Sequence, residues 1–211
     1  MKFYWVKTNW FIKKLFFNYF WSIPTNDKIV YLTFDDGPTE NITHWVLSNL
    51  ETFHAKATFF CIGNNVQKNP ILFKTILQKG HKIGNHTFSH LKGWNTSFEM
   101  YLENIFRCEQ VFEKEKLTTN LFRPPYGKIT FKQAKKLREK GCKIIMWDVL
   151  SADFDTTISP EKCLQNVIQN VCPGSIIVFH DSHKAFKNLQ YALPKTLAFL
   201  EENGYKCNVL D

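Results

Sequence analysis

Apolar positions along this chain fall into short blocks separated by turns. Seven runs, at 29–34, 56–61, 82–85, 120–123, 142–147, 175–179 and 205–210, read as strands. Most are followed by a longer amphipathic stretch, which predicts helices at 42–53, 65–78, 97–115, 131–140, 160–171 and 189–203. One start is marked by its cap: Ser159 is a good N-cap, Pro160 suits the first helical position and Glu161 puts an acid in the first turn. Strands alternating with helices point to a parallel sheet. With seven units and no internal repeat, a closed or nearly closed barrel of α/β type is more economical than an open sheet.

The polar groups sit where that arrangement would use them. Asp35 and Asp36 end the first run, His86 and His90 follow the third, Arg123 ends the fourth, Asp148 ends the fifth and His180 ends the sixth. In a parallel α/β barrel the C-terminal strand ends share one face, so residues far apart in sequence meet in one cleft. Imidazoles at i and i+4 on a helix-like turn can aim at one point. Two imidazoles and a carboxylate suit a divalent ion with open positions for water and substrate. A His-x-x-x-His pair is equally at home on a solvated helix face, and Asp-Gly-Pro in a plain turn. Two adjacent carboxylates after a buried strand are costly without a cation, which favours the metal.

Composition narrows the picture little further. The chain has 211 residues, 44% hydrophobic, with 20 Phe, and no linker-like stretch, so one domain is expected. Its net charge of +8 favours anionic partners in general. The basic residues spread along predicted helices and match no nucleic-acid motif, so no nucleic-acid partner is expected. The six cysteines lack a Cys-x-x-Cys pair and read as small buried hydrophobes.

Residues 1–27 form an aromatic and basic N-terminal extension, expected to be helical, ahead of a domain at 28–211. Lysines interrupt its apolar stretch and no small-residue cleavage site follows, so it resembles neither a secretory leader nor a membrane span. Residues 10–21 mix lysine with bulky aromatics. They are expected to close one end of the core, with peripheral contact to a membrane through 1–21 as the alternative. The default location is cytoplasmic or membrane-peripheral, with the cell envelope as alternative.

Four motifs in order resemble the polysaccharide deacetylases, the NodB-homology family of carbohydrate esterases. They are Thr33-Phe34-Asp35-Asp36-Gly37-Pro38, His86-Thr87-Phe88-Ser89-His90, Arg123-Pro124-Pro125-Tyr126-Gly127 and Val178-Phe179-His180-Asp181, within a match over about 28–210. The resemblance implies a distorted (β/α)7 barrel and a divalent metal, zinc first, with cobalt or another transition ion as alternatives. It also implies removal of N-acetyl groups from a polymer of N-acetylglucosamine, by a chain expected to be monomeric. By position, Asp36, His86 and His90 would hold the metal and Asp35 would be the general base. Arg123 would orient Asp35, the Tyr126 N–H would face the oxyanion and His180 would be the general acid.

A fifth block departs from the family pattern of Asp, two residues, then Asp-Trp: here Leu150-Ser151-Ala152-Asp153-Phe154 changes the first acid and the Trp. The carboxylate that orients His180 must then be Asp148, Asp153 or Asp181, and Asp153 is the expectation. Phe88, Trp94, Tyr126, Trp147 and Phe154 lie near the same loops. Trp94, Tyr126 and Phe154 are expected to touch sugar, and Trp147 to pack in the core. An O-acetyl esterase on a xylan-like polymer would use the same centre, and a glycan-binding protein with an impaired centre would explain the altered block.

Overall fold

The computed structural model describes residues 4–211, so expectations for Met1, Lys2 and Phe3 lie outside the described residues. Strands β1 (Ile29–Asp35), β2 (Ala57–Cys61), β3 (Lys82–Asn85), β4 (Leu121–Phe122), β5 (Lys143–Ile144), β6 (Val149–Leu150) and β7 (Ile176–His180) form one curled sheet in the order β5-β4-β3-β2-β1-β7-β6. Every neighbouring pair is parallel. The 142–147 run ends early as β5, and the ring's sixth strand is β6, which the apolar pattern did not single out. The 205–210 run supplies only β8 (Lys206–Cys207), which lies off the ring path and pairs with the start of β1.

Helices α2 (Ile42–Thr52), α3 (Gly63–Lys68), α4 (Pro70–Gln78), α5 (Phe98–Lys114), α6 (Phe131–Glu139), α7 (Pro160–Ile168) and α8 (Phe186–Glu202) connect these strands. The helix expected over 65–78 is two helices, because Pro70 cannot continue α3 and serves instead as the first residue of α4. Ser159 caps α7 as expected, and Thr130 with Gln133 makes a capping box on α6. Phe34 stacks on Phe59 and Phe179 with ring centroids 5.1 and 6.1 Å away, joining β1, β2 and β7 in one fully buried layer. Burying each such ring contributes about 1.5–3 kcal/mol.

The ring is open between β5 and β6, and the N-terminal extension fills that seam. Phe20 donates to the Ile144 carbonyl and accepts from Met146, while Thr8 donates to Asp148 and Val6 accepts from Leu150. Gly174, at φ +80°, lets the strap pass: a Cβ there would sit 2.0 Å from the Ile23 carbonyl oxygen. The extension therefore closes the side of the barrel and not one end, and among its described residues only α1 (Trp10–Leu15) is helical. Lys7 and Lys13 reach Asp148 at 2.7 and 2.5 Å, and Ser175 donates to the same buried carboxylate. Of the cysteines, Cys61, Cys108 and Cys163 are buried as expected, Cys142 and Cys207 are half-buried and Cys172 is exposed.

Burial opposes the charge on Asp148, but hydrogen bonds from Lys13, Lys7 and Ser175 hold its carboxyl below the usual carboxylate range. This depressed pKa contributes stability above the unfolded-state value, and the contribution is lost as pH falls through the folded-state value. Asp148→Ala removes the acceptor shared by Ser175, Lys13 and Lys7, of which Lys7 keeps the Asn170 carbonyl, and should cost about 1–3 kcal/mol in urea unfolding at pH 7. An unchanged midpoint would show that the seam is not held this way.

Candidate metal centre and catalytic cleft

The site begins inside the barrel with Arg123, which is fully buried. Its guanidinium donates to Asp35 Oδ1 and Thr33 Oγ1, both at 2.7 Å, and to the Met146 and Ile145 carbonyls at 2.9 and 3.3 Å. Its cationic plane lies 4.1 Å from the centre of the Phe60 ring. Phe60 has this place because Gly84 lacks a side chain: a Cβ there would lie 2.3 Å from the ring. Burial pulls the Arg123 pKa down against the opposing pull of Asp35. The net result is a fixed cation that holds one oxygen of Asp35 at the cleft floor.

Asp36, one residue on, turns away at φ +82°, and Asn65 pins its carbonyl at 2.7 Å. His86 Nδ1 faces the Arg123 carbonyl at 2.8 Å, so it carries the proton and Nε2 presents its lone pair. Nε2 of His86 and of His90 stand 3.8 and 3.2 Å from Asp36 Oδ1. That oxygen is buried and accepts no well-formed hydrogen bond. Three donor atoms within 4.8 Å of one another, with an orphaned buried oxygen among them, fit a divalent ion. Burial lowers the His86 pKa to about 4, which keeps it neutral as a ligand must be.

The two histidines do not share a helix. They lie on a loop after β3, with Thr87 and His90 at φ +64° and +57°. Asn104 of α5 accepts from the Phe88 and Ser89 N–H groups and donates to Ser89, while Gly63 of α3 donates to the Thr87 carbonyl. Asp36, Tyr126 and Ala152 are also at positive φ. Sparsely populated backbone thus recurs in the loops that carry the site, held by the surrounding packing.

His180 ends β7 directly beside Asp35, its partner in the strand register. Asp153 takes it from two sides: Oδ1 lies 2.7 Å from the ring Nδ1 and Oδ2 accepts the backbone N–H at 2.7 Å. Burial opposes the imidazolium, but Asp153, then Asp36 and Asp35, raise the His180 pKa to about 9. Of the other candidate carboxylates, Asp148 is spent on the seam, while Asp181 accepts from Gly37 N–H and Thr43. Asn188 donates to the Asp153 and Asp155 carbonyls and so secures the loop that carries Asp153.

These groups open on a cleft of about 760 Å³. Asp35, Asp36, His86, His90, Tyr126, Phe154 and His180 all line it, and Arg123 supports it from below. Trp94 is not among the lining residues: its indole N–H is tied to the Ile129 carbonyl and Lys128 covers its ring at 4.0 Å. Phe88 is buried under Arg107 and is no platform either. Trp147 packs against the cluster around Trp21 and Tyr101, as expected, and also lines the cleft, because the chain leaves β5 before reaching it. The sequence reading missed Tyr4, Ser182, His183 and Lys184 as lining residues. The last three follow directly on His180-Asp181, a proximity that could have flagged them, whereas nothing local marks Tyr4.

An imidazole pair, an orphaned carboxylate, a second carboxylate on an arginine and an acid-paired histidine on one barrel face make a metallohydrolase centre. Known proteins agree. The family model described as polysaccharide deacetylase matches residues 22–145. A peptidoglycan-N-acetylglucosamine deacetylase of Bacillus cereus is 38% identical over 88% of each chain. The corresponding deacetylase PgdA of Listeria monocytogenes is 32% identical over 89% of this chain, which spans only 39% of its length. A crystal structure of a peptidoglycan N-acetylglucosamine deacetylase in complex with 4-naphthalen-1-yl-N-oxidanyl-benzamide superposes with a TM-score of 0.87 at 34% identity, over 92% of this chain and 91% of that one. The chain belongs to the polysaccharide deacetylase family, whose members are metal-dependent hydrolases.

The His180–Asp153 pair yields a direct check. In Asp153→Asn the His180 pKa, followed by NMR, should fall from about 9 towards the free-imidazole value, so that the alkaline limb of activity moves to lower pH. A titration unchanged by the substitution would remove Asp153 from this role.

Proposed function

We propose that the chain is an N-deacetylase of N-acetylglucosamine residues in peptidoglycan, releasing acetate and leaving a free amine. The observation that carries this reading is the adjacency of Asp35 and His180 at paired strand ends beside the Asp36, His86 and His90 donor set. When bound there, a divalent cation, zinc by preference, supplies a Lewis acid that polarises a carbonyl and makes water more acidic. Arg123 occupies Asp35 Oδ1, leaving the other oxygen to take a proton from the attacking water.

The N–H groups of Gly127 and Lys128 are spent on the turn at Pro124 and Pro125, whereas that of Tyr126 is not, so it is the donor offered to the developing oxyanion. His180 has Nδ1 on Asp153, so its proton on Nε2 goes to the departing nitrogen, which leaves poorly as an anion. A complete acid–carboxylate pair argues against an impaired, binding-only centre. Phe154 meets the His180 ring edge-on at 5.1 Å and offers an apolar surface for the sugar, as does Tyr126, whose ring meets His90 at 4.7 Å. The chain works as a monomer on this reading, at the envelope side of a membrane, with the aromatic N-terminal segment as the face that would meet lipid.

Incubating the zinc- or cobalt-loaded protein with an N-acetylglucosamine oligomer and with peptidoglycan fragments tests this. Acetate should appear in equal amount with free amine, and Asp35→Asn or His180→Ala should each lower kcat by about 10²–10⁴. Cleavage of acetyl esters alone would overturn the amidase reading in favour of an esterase, and binding without turnover would overturn catalysis.

A further inference from the structure

The N-terminal strap does more than fill the seam. In α1, Ile12, Lys13 and the following Phe16 face inward: Ile12 and Phe16 pack on the cluster around Trp21 and Tyr101, and Lys13 reaches Asp148. The opposite face reads Trp10, Phe11, Lys14 and Leu15, continued by Phe17. Trp10, Phe11, Leu15 and Phe17 are 69%, 61%, 58% and 76% exposed, and α1 has no buried residue. This face is held rigidly by several fastenings. Asn9 caps the helix, Trp21 donates its indole N–H to the Phe16 carbonyl, and Phe16 stacks on Tyr19 and on Phe131 of α6. Phe131 is itself 76% exposed, so the aromatic surface continues across both elements.

The charge around this surface is predominantly positive. The first 26 residues contain no acid, and of their lysines Lys7 and Lys13 turn inward to Asp148 while Lys14 stays on the outward face. Lys14 lies 5.2 Å above the Trp10 ring, and α6 contributes Lys132, Lys135, Lys136 and Arg138 against the single acid Glu139. Among the described residues no helix is long and apolar enough to cross a membrane. Bulky aromatics fringed by cations, on a surface and not in a span, have the chemistry of a bilayer interface, where rings enter the headgroup boundary and lysines meet anionic lipid.

We propose that the outward face of residues 10–17, with Phe131 and the basic residues of α6, docks this protein on an anionic lipid surface. The full chain is tested by co-sedimentation with phosphatidylglycerol–phosphatidylcholine vesicles and with phosphatidylcholine vesicles alone. The comparison variant carries Trp10→Ala, Phe11→Ala and Phe17→Ala, all exposed and outside the seam bonds. The wild-type chain should bind the anionic vesicles preferentially and more weakly as salt is raised. The triple variant should lose at least about tenfold in affinity while deacetylating a soluble oligomer at the wild-type rate.

No binding to anionic vesicles, or equal binding by the triple variant, would overturn the proposal. So would a wild-type dimer that the triple variant dissociates, which would assign the face to a second copy. Retention on insoluble glycan in place of vesicles would assign it to sugar.

Discussion

The structure turns on a buried ion pair. Arg123 and Asp35 are both removed from water, and taking two such charges from solvent costs several kcal/mol per ion unless every donor finds a partner. The barrel supplies partners from three strands' worth of chain: Thr33 and Asp35 on β1, Phe60 on β2, and the carbonyls of Ile145 and Met146 just after β5. Because the guanidinium is planar and its donors diverge at fixed angles, it locates the Asp35 oxygens with little freedom. The Arg123 carbonyl meanwhile sets the tautomer of His86. One residue therefore links Asp35, the proposed base, to the donor set through its side chain and its backbone.

An open barrel needs a device at its gap, and here the chain's own beginning serves. The strap offers backbone groups to both edge strands, and its two lysines converge on Asp148. This covers strand edges that would otherwise expose unpaired donors and acceptors. It also puts Tyr4 in the cleft wall, where the hydroxyl reaches Asp155 at 2.9 Å and the ring meets Phe154. Closing the fold and shaping the cleft are thus tasks of one segment.

Much of the site was legible because its residues sit in contiguous motifs at strand ends, where parallel topology alone gathers them. Asp153 was legible from its place in the loop after the fifth run, but nothing local showed that Asp148, which the pattern also puts at a strand end, precedes β6 and belongs to the seam. Features set by tertiary packing were not legible. The i, i+4 histidines do converge, but through a loop held by Asn104 and Gly63 and not through a helical turn. Trp147 reaches the cleft because β5 ends after two residues, and Trp94 is held away from it by Ile129 and Lys128, neither of which a local pattern announces. The strap's lateral path depends on partners such as Asp148 and Gly174, more than a hundred residues away.

The central claim is that Asp36, His86 and His90 hold one divalent ion between Asp35 and His180. X-ray absorption at the zinc edge of the reconstituted protein tests it most directly. The account predicts two imidazole nitrogens and a carboxylate oxygen at about 2.0–2.2 Å, with one imidazole lost in His86→Ala. A spectrum without imidazole scattering, or one that the substitution leaves unchanged, would contradict it.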